Sequence, residues 1–147
     1  MKLSNNFHLD EFLKSKTADR LNIPMNPPVE VVVALTALTV CLLQPVRESV
    51  NKRMQVTSGW RPSPVNEAVG GSSTSQHLLG EAADCVVPGL TPQALAHKVL
   101  DLNVDFGQLI VYPDKGTVHL SYCRLGNNKR EVKTRTANGF AKGILEG

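Results

Sequence analysis

The stretch "STSQHLLGEAAD", Ser73 to Asp84, places a histidine, a glycine and an aspartate in a segment with few other polar groups. "EAADCVV", which overlaps its end, is typical of a short β-strand. Side chains alternate between the two faces of a strand, so Asp84 points to the same side as Ala82. His77 comes just before this strand, and Gly80 allows the backbone to turn so that the His77 ring swings back over Asp84.

Two short apolar runs later in the chain, "GQLIVY" and "TVHLSY", are separated by the turn-like "PDKG" and predict a β-hairpin. In the second run, His119 shares a face with Thr117 and Ser121. If this strand lies beside "EAADCVV" in one sheet, Asp84 and His119 meet on its polar side. Two imidazoles and one carboxylate, with a fourth position open to water, form the ligand set of a catalytic zinc. The alternative is a hydrogen-bonded structural His119 and an Asp84 that is paired in the interior.

The first part of the chain predicts helices. "HLDEFLKS" indicates a short amphipathic helix, and a long, largely buried helix is expected from Val29 to about Val50. Pro45 is expected to kink or restart this helix. "MQVTSGW" predicts a strand that ends at Gly59, and "RPSPVNEAVGGSST" predicts a loop.

The second part predicts mainly strands. "TPQALAHKVLDL" indicates one more helix, with Thr91 as its N-cap and Pro92 in its first turn. "REVKTRT" alternates in polarity and predicts a further strand. With helices first and strands clustered later, we expect a single α+β domain over residues 1–147, in which helices flank a small, mainly antiparallel sheet.

Composition narrows the class of protein. The chain has 147 residues, of which 41% are hydrophobic and 20% are charged, as in a folded globular domain. The net charge of +3 is modest and the aromatic content is 5%, so we predict no nucleic-acid partner.

The N-terminal "MKLSNNFHLDEF" lacks the apolar run of a signal peptide. The apolar segment Val29–Leu43 is interrupted and shorter than the ~20 residues that cross a bilayer, so no membrane anchor is expected. Oligomeric state is not indicated.

The spacing of Ser75, His77, Gly80, Ala82 and Asp84 resembles the metal-binding signature of the zinc D-Ala-D-Ala carboxypeptidase family. That family shares its fold with the hedgehog-type zinc peptidases and includes many phage lysins. "TSGWRP" is similar to the family's Ser-Gly-aromatic-Arg segment, and "QLI" and "VHLSY" resemble its closing hairpin. "NNFHLDEF" and "LLQPVRE" are similar to phage-like members. The resemblance therefore covers nearly the whole chain.

The resemblance implies roles for individual residues. His77, Asp84 and His119 would bind Zn²⁺, which lowers the pKa of bound water to roughly 7 and polarises a carbonyl. Arg61 would bind a substrate carboxylate or stabilise the oxyanion that forms on the attacked carbonyl. Ser75 would hydrogen-bond near the metal or to the substrate.

One departure concerns the general base. Relatives usually carry a glutamate three residues before the last histidine ligand, or shortly after the "QLI" strand, where this chain has Gly116 and Tyr112. Asp114 in the hairpin turn is the candidate catalytic base, although aspartate is also a common turn residue. Tyr112 is a second candidate, but a phenol with a pKa near 10 is a poor base. The third possibility is a protein that has lost hydrolysis and keeps the metal.

The resemblance implies a zinc-dependent carboxypeptidase or endopeptidase that cleaves D-Ala-D-Ala bonds, or other peptide bonds of the stem or cross-bridge peptides, in bacterial peptidoglycan. A phage or prophage lysin of this kind would be made in the cytoplasm of the host and act at the cell wall or within a virion. The alternative is a catalytically impaired, zinc-containing protein that binds peptidoglycan or has a structural role in a virus particle.

Overall fold

The structure, a computed structural model, describes residues 1–146. The first third of the chain is mainly helical. It begins with a small hairpin and a 3₁₀-helix, followed by three α-helices and a π-helical turn. In chain order these elements are β1 (Lys2–Ser4), β2 (Phe7–His8), the 3₁₀-helix Leu9–Phe12, α1 (Lys16–Leu21), α2 (Val29–Leu38), a π-helical turn (Thr39–Leu43) and α3 (Gln44–Val50).

The remaining two thirds form the main sheet and two further α-helices. In chain order they are β3 (Gln55–Ser58), α4 (Ser63–Ala68), the 3₁₀-helix Gln76–Leu79, β4 (Ala82–Val86), α5 (Pro92–Asp101), β5 (Gln108–Tyr112), β6 (Thr117–Ser121), β7 (Glu131–Thr136) and β8 (Gly139–Lys142). The α+β class predicted from the sequence is confirmed.

The main sheet has six strands in the order β3-β4-β6-β5-β7-β8. Every neighbouring pair is antiparallel except β5 and β7, which run parallel. The predicted β5–β6 hairpin is confirmed, and β4 lies directly beside β6. The sheet therefore joins the two strands that carry Asp84 and His119.

One face of the sheet packs against the helices and forms the core. Its side chains come from alternate positions of β4, β5 and β6 and are fully buried. They pack with apolar residues of α2, the π-helical turn, α3 and α5; the sheet contributes Ala83, Cys85, Leu109, Val111, Val118 and Leu120, and the helices contribute Leu35, Leu38, Leu42, Val46, Leu95 and Val99. The opposite face, which carries Asp84 and His119, is left uncovered by these helices and faces a cleft.

The long helix runs without interruption from α2 through the π-helical turn into α3. Pro45 lies at the start of α3 and has no N–H to donate to the carbonyl four residues earlier. The π-helical turn just before it widens the helix, and the N–H of Gln44 bonds to the carbonyl of Thr39. The helix therefore accommodates Pro45 without ending. The sequence predicts that Pro45 kinks or restarts the helix, and α3 begins one residue before it, at Gln44.

This helix, Val29–Val50, has 22 residues and is long and apolar enough to cross a membrane by length and composition alone. Half of the apolar window is buried inside the fold, however, and Leu35, Leu38 and Leu42 are fully buried in the core. The core helix of a globular domain meets the same criterion. The predicted absence of a membrane anchor stays a prediction.

Three local predictions differ from the structure. The segment predicted as a loop after Trp60 contains α4, whose six residues begin with Ser-Pro and are too few to show a helical period. The predicted helix around Leu9 is only a 3₁₀-helix of four residues. Strand β8 was missed, because four residues give almost no alternation to detect.

Candidate metal centre

Asp84 and His119 are direct neighbours across the β4–β6 strand pair. Their side chains point to the same face, and Asp84 Oδ1 lies 3.1 Å from His119 Nδ1. The side chain of His119 is 10% exposed and that of Asp84 is 23% exposed. The register of two strands therefore places a carboxylate and an imidazole in contact at the edge of the cleft, as strand parity predicts.

His77 reaches the same point from the 3₁₀-helix that precedes β4. The backbone N–H of His77 donates to Ser75 Oγ at 3.2 Å, so Ser75 caps the start of this helix. Gly80 ends the helix with a φ of 73°, and a Cβ there would lie 2.8 Å from the carbonyl oxygen of Val31. A side chain at position 80 would be both strained and too close to α2. The glycine therefore allows the turn that brings His77 over the sheet.

The ring of His77 is held in one orientation. Its Nδ1 lies 2.7 Å from the carbonyl oxygen of Gly59, which can only accept, so Nδ1 carries the proton and donates. The lone pair is then on Nε2, which lies 3.4 Å from Asp84 Oδ1. Gly59 is itself required, because a Cβ there would lie 2.5 Å from the carbonyl oxygen of Phe12. The Trp60 indole donates to the carbonyl of Leu78 at 3.1 Å and ties the same loop to the His77 helix.

His119 has a polar partner at each ring nitrogen. Nδ1 faces Asp84, while Nε2 lies 3.4 Å from Gln76 Oε1. A ligating histidine typically donates its other N–H to an oxygen acceptor, which fixes the ring and its tautomer. Gln76 is positioned to accept from Nε2 and leave the Nδ1 lone pair for a metal. The centre thus has an acceptor behind each imidazole: Gly59 behind His77 and Gln76 behind His119.

The donor set fits a divalent transition metal. One ligand atom from each of His77, Asp84 and His119 can be chosen so that all three lie within 4.8 Å of one another. Burial raises the pKa of Asp84, but the adjoining imidazoles of His119 and His77 outweigh it and hold that pKa well below its usual range. Burial lowers the pKa of His119, against the opposing effect of Asp84. An ionised carboxylate beside a neutral imidazole is the state in which both groups bind a metal.

Two nitrogens and one oxygen at this spacing, with a cleft on the open side, match a three-ligand zinc site. His77, Asp84 and His119 would hold Zn²⁺, which would supply a Lewis acid beside the cleft. The structure brings His77, Asp84 and His119 together, and their role as zinc ligands stays a prediction.

Arg61 lines the same cleft, just after the Gly59–Trp60 segment. Its backbone N–H donates to the carbonyl of His77 at 3.1 Å. Burial lowers the pKa of Arg61, and the charge of Asp84 acts in the opposite direction. Among residues 1–146, Arg61 Nε is buried without a hydrogen-bond partner. A half-buried, incompletely paired guanidinium near the metal ligands is available to bind an oxygen of a substrate.

The space for Arg61 depends on Gly71. A Cβ at Gly71 would lie 3.2 Å from Arg61 Nη1 and would collide with Asn66 Oδ1. Asn66 is buried, and its Nδ2 donates to the carbonyl of Ser72 at 2.9 Å. The conformation of the segment after α4 therefore leaves room for the Arg61 side chain.

The two candidate bases lie in different places. Asp114 is exposed in the β5–β6 turn and lines a second cavity of about 610 Å³, whereas Tyr112 lines both this cavity and the main cleft. Burial raises the pKa of Tyr112, and Asp84 raises it further, so its hydroxyl stays protonated at neutral pH. The structure brings Tyr112 near the metal ligands and leaves Asp114 in the adjoining cavity.

Two residues of the site were missed in the sequence. Gln76 contacts His119 across 43 positions of the chain, a contact that no local pattern reveals. Glu131 lines the main cleft because β7 runs parallel to β5, with Glu131 beside Gln108. The alternation of "REVKTRT" predicted the strand, but no sequence signal gave its neighbour.

Comparison with known families agrees with this geometry. The sequence pattern of the family described as Peptidase M15 matches residues 5–121, which include Arg61, His77, Asp84 and His119. Among curated proteins, none matches the chain at a significant level. M15 peptidases are zinc peptidases, and a His-Asp-His group is present in this chain. The match spans most of the chain, and we conclude that this protein belongs to the peptidase M15 family.

Proposed function

We propose that the chain is a zinc metallopeptidase that hydrolyses peptide bonds in the stem or cross-bridge peptides of bacterial peptidoglycan. The observation that carries the proposal is the convergence of His77, Asp84 and His119 beside Arg61 in one cleft. The cleft has a volume of about 1750 Å³. Because sites for small molecules usually measure ~300–1,000 Å³, this cleft has room for an extended peptide.

The charge of the cleft supports an anionic peptide as substrate. Basic side chains outnumber acidic ones among the residues that line it: Lys14, Lys16, Arg61, Lys115, Lys129 and Lys133 against Asp19, Asp84 and Glu131. Peptidoglycan stem peptides carry free carboxylates, and a basic cleft concentrates such a ligand near the metal ligands. The resemblance of the chain to phage lysins supports the same substrate.

Each residue of the site would have its own role in hydrolysis. Zn²⁺ held by His77, Asp84 and His119 would act as a Lewis acid and lower the pKa of a bound water. Arg61 would bind the carbonyl oxygen that becomes negative as the peptide is attacked, or a neighbouring carboxylate. Ser75 would hold the backbone of His77 in place. The candidate proton acceptors are Asp114, predicted from the sequence, and Glu131, which lines the main cleft; Tyr112, whose hydroxyl stays protonated at neutral pH, does not suit this role.

A digest of purified peptidoglycan tests this function. Zinc-loaded wild-type protein, a chelated sample and the His77→Ala variant are compared, and the soluble muropeptides are identified by mass spectrometry. His97→Ala is the matched control, because His97 is an exposed residue of α5, away from the cleft. We expect cleavage by wild type and His97→Ala only. Equal products from all four samples would exclude metal-dependent hydrolysis.

A second candidate function is a zinc-containing module that binds peptidoglycan, or has a structural role in a virion, without cleaving. The observation that favours it is the absence of a glutamate between Gln108 and His119. Tight stoichiometric zinc and binding to sacculi without release of muropeptides would support this alternative. The wall location and the phage origin stay predictions from the resemblance.

A further inference from the structure

A second cavity adjoins the main cleft at the far end of the sheet. It has a volume of about 610 Å³, and its charged and aromatic lining is Tyr112, Asp114, Lys115, Arg135 and Phe140. Tyr112 and Lys115 line both spaces, so the cavity is an extension of the cleft. We use the name distal cavity for it.

The distal cavity lies on the same face of the sheet as the metal ligands. His119 pairs with Ile110 on β5, and Ile110 pairs with Lys133 on β7. Tyr112 and Arg135 each follow two residues later, so their side chains point to the same face. Arg135 is paired in turn with Phe140 on β8. One surface therefore runs from the metal ligands to the distal cavity.

Aromatic rings hold the cations of this surface in place. The Nζ of Lys115 lies 5.0 Å from the ring centroid of Tyr112. The Cζ of Arg135 lies 5.0 Å, and the Nζ of Lys133 lies 4.6 Å, from the ring centroid of Phe140. The two rings meet edge to face, with centroids 6.5 Å apart. Such contacts restrict long, flexible cations and reduce the entropy that a ligand must remove on binding.

The charges of the distal cavity are not all compensated. Lys133 pairs with Glu131 at 3.3 Å. Within residues 1–146, Arg135 and Lys115 form no ion pair, and Asp114 is the one acidic residue in the lining. Phe140 is 50% exposed, and its ring contacts the cations of Lys133 and Arg135.

Arg135 and Phe140 lie outside residues 5–121, the part of the chain that matches the Peptidase M15 family. The distal cavity is therefore built partly by a segment that the family comparison does not cover. The charged and aromatic lining of the distal cavity therefore does not follow from membership of the family.

We propose that the distal cavity is a specificity subsite that binds a carboxylate of the peptide substrate through Arg135 and Lys115. The planar guanidinium offers two parallel donors to a carboxylate, and the ammonium adds a point charge from the β5–β6 turn. This inference rests on the proposed function, because the peptide would bind across the cleft with the bond to be cleaved at the metal. The inference adds that the peptide substrate must carry a carboxylate several residues away from that bond.

Two stem pentapeptides that differ in one group test the proposal. Both have the sequence L-Ala-γ-D-Glu-L-Lys-D-Ala-D-Ala; one has a free α-carboxylate on D-Glu, and the other has the carboxamide. Binding is measured by calorimetry on the full-length chain in chelator, so that the peptide stays intact. Cleavage of both peptides is measured separately on the zinc-loaded chain by mass spectrometry.

We expect wild type to bind the carboxylate peptide about tenfold more tightly than the amide, as for one charge-assisted contact. Arg135→Ala is expected to bind both peptides alike, whereas Lys98→Ala, which removes an exposed cation from α5, keeps the preference. Equal binding of both peptides by wild type would overturn the subsite. An equal preference in Arg135→Ala and wild type would overturn it as well.

The cleavage measurement separates the subsite from the proposed function. A carboxylate preference that depends on Arg135, with no cleavage by zinc-loaded wild type, would support the subsite and contradict the peptidase. Cleavage of both peptides with no preference in binding would support the peptidase and contradict the subsite.

Discussion

Gln76 Oε1 lies 3.4 Å from Nε2 of His119, whose other ring nitrogen lies 3.1 Å from Asp84 Oδ1. Gln76 belongs to the 3₁₀-helix that also carries His77. One short helix therefore supplies a candidate ligand and orients another candidate ligand on β6. The two parts of the centre, which are far apart in sequence, are coupled through this amide.

The first prediction concerns this amide. In Gln76→Ala the acceptor behind His119 is lost, so the ring can rotate and its Nδ1 lone pair is no longer fixed. We expect zinc affinity to fall about tenfold or more, as is typical when such a partner of a ligating histidine is removed. Competition with a chromogenic chelator measures the dissociation constant. Gln93→Ala on α5 is the control; unchanged affinity in Gln76→Ala would show that the contact has no role in metal binding.

The second prediction separates binding of the substrate from binding of the metal. Arg61→Lys keeps a positive charge but loses the planar pair of donors. We expect kcat/KM to fall about 100-fold, comparable with the loss of one donor to an oxyanion, while zinc content stays at the wild-type level. Steady-state kinetics and metal analysis of the same samples provide both values. Loss of zinc in Arg61→Lys would instead assign the residue a structural role at the centre.

The third prediction compares two candidate bases. Glu131 lines the main cleft, whereas Asp114 lines the distal cavity from an exposed turn. Hydrogen bonds from Gln108 Nε2 and Lys133 Nζ lower the pKa of Glu131, so it is ionised at neutral pH but is a weaker base than an unpaired glutamate. We expect Glu131→Gln to lower kcat by about 100-fold, within the usual range for general-base catalysis, and Asp114→Asn to have a smaller effect. The reverse order would return the role to Asp114.

The fourth prediction is a loss of stability of the metal-free protein in mild acid. The pKa of His119 is lower in the folded protein than its ordinary value of about 6.5, because the ring is buried. Below pH ~6.5 the unfolded chain takes up a proton that the folded ring resists, so the free energy of unfolding falls with pH until the folded pKa is reached. Asp84 contributes in the same direction only in stronger acid, because its stabilisation is complete above its unfolded pKa of about 3.9.

Urea unfolding of the chelated protein between pH 7.5 and 5 measures this effect. The slope cannot exceed about 1.4 kcal/mol per pH unit for one proton. His119→Gln should flatten the profile, because it removes the buried imidazole. A wild-type profile that is level or that rises as the pH falls would contradict the burial of a neutral His119.

More of the metal centre than of the rest of the fold could be predicted from the sequence, because the features that determine it are local in the sequence. Alternation along two strands places Asp84 and His119 on one face, and Gly80 marks the turn that brings in His77. Gly59 lies in the "TSGWRP" segment and Gly71 in the segment predicted as a loop, but the close contacts with Phe12 and Asn66 that require these glycines appear only in three dimensions.

The features of the fold and the site that could not be predicted from the sequence depend on pairing between segments that are far apart in the chain. The parallel pairing of β7 with β5 brings Glu131 into the cleft and Arg135 beside Tyr112, and alternation alone does not select a neighbour. Helix α4 and strand β8 are too short for a periodic signal. The contact of Gln76 with His119 depends on the position of a helix over a strand.

The central claim is that His77, Asp84 and His119 bind one zinc ion. X-ray diffraction at the zinc absorption edge, on crystals of the full-length chain grown with Zn²⁺, tests it most directly. We predict a single strong anomalous peak within about 2.0–2.2 Å of His77 Nε2, His119 Nδ1 and a carboxylate oxygen of Asp84. Crystals without a peak there, or with the two rings and the carboxylate turned away from one another around an ion bound elsewhere, would contradict it.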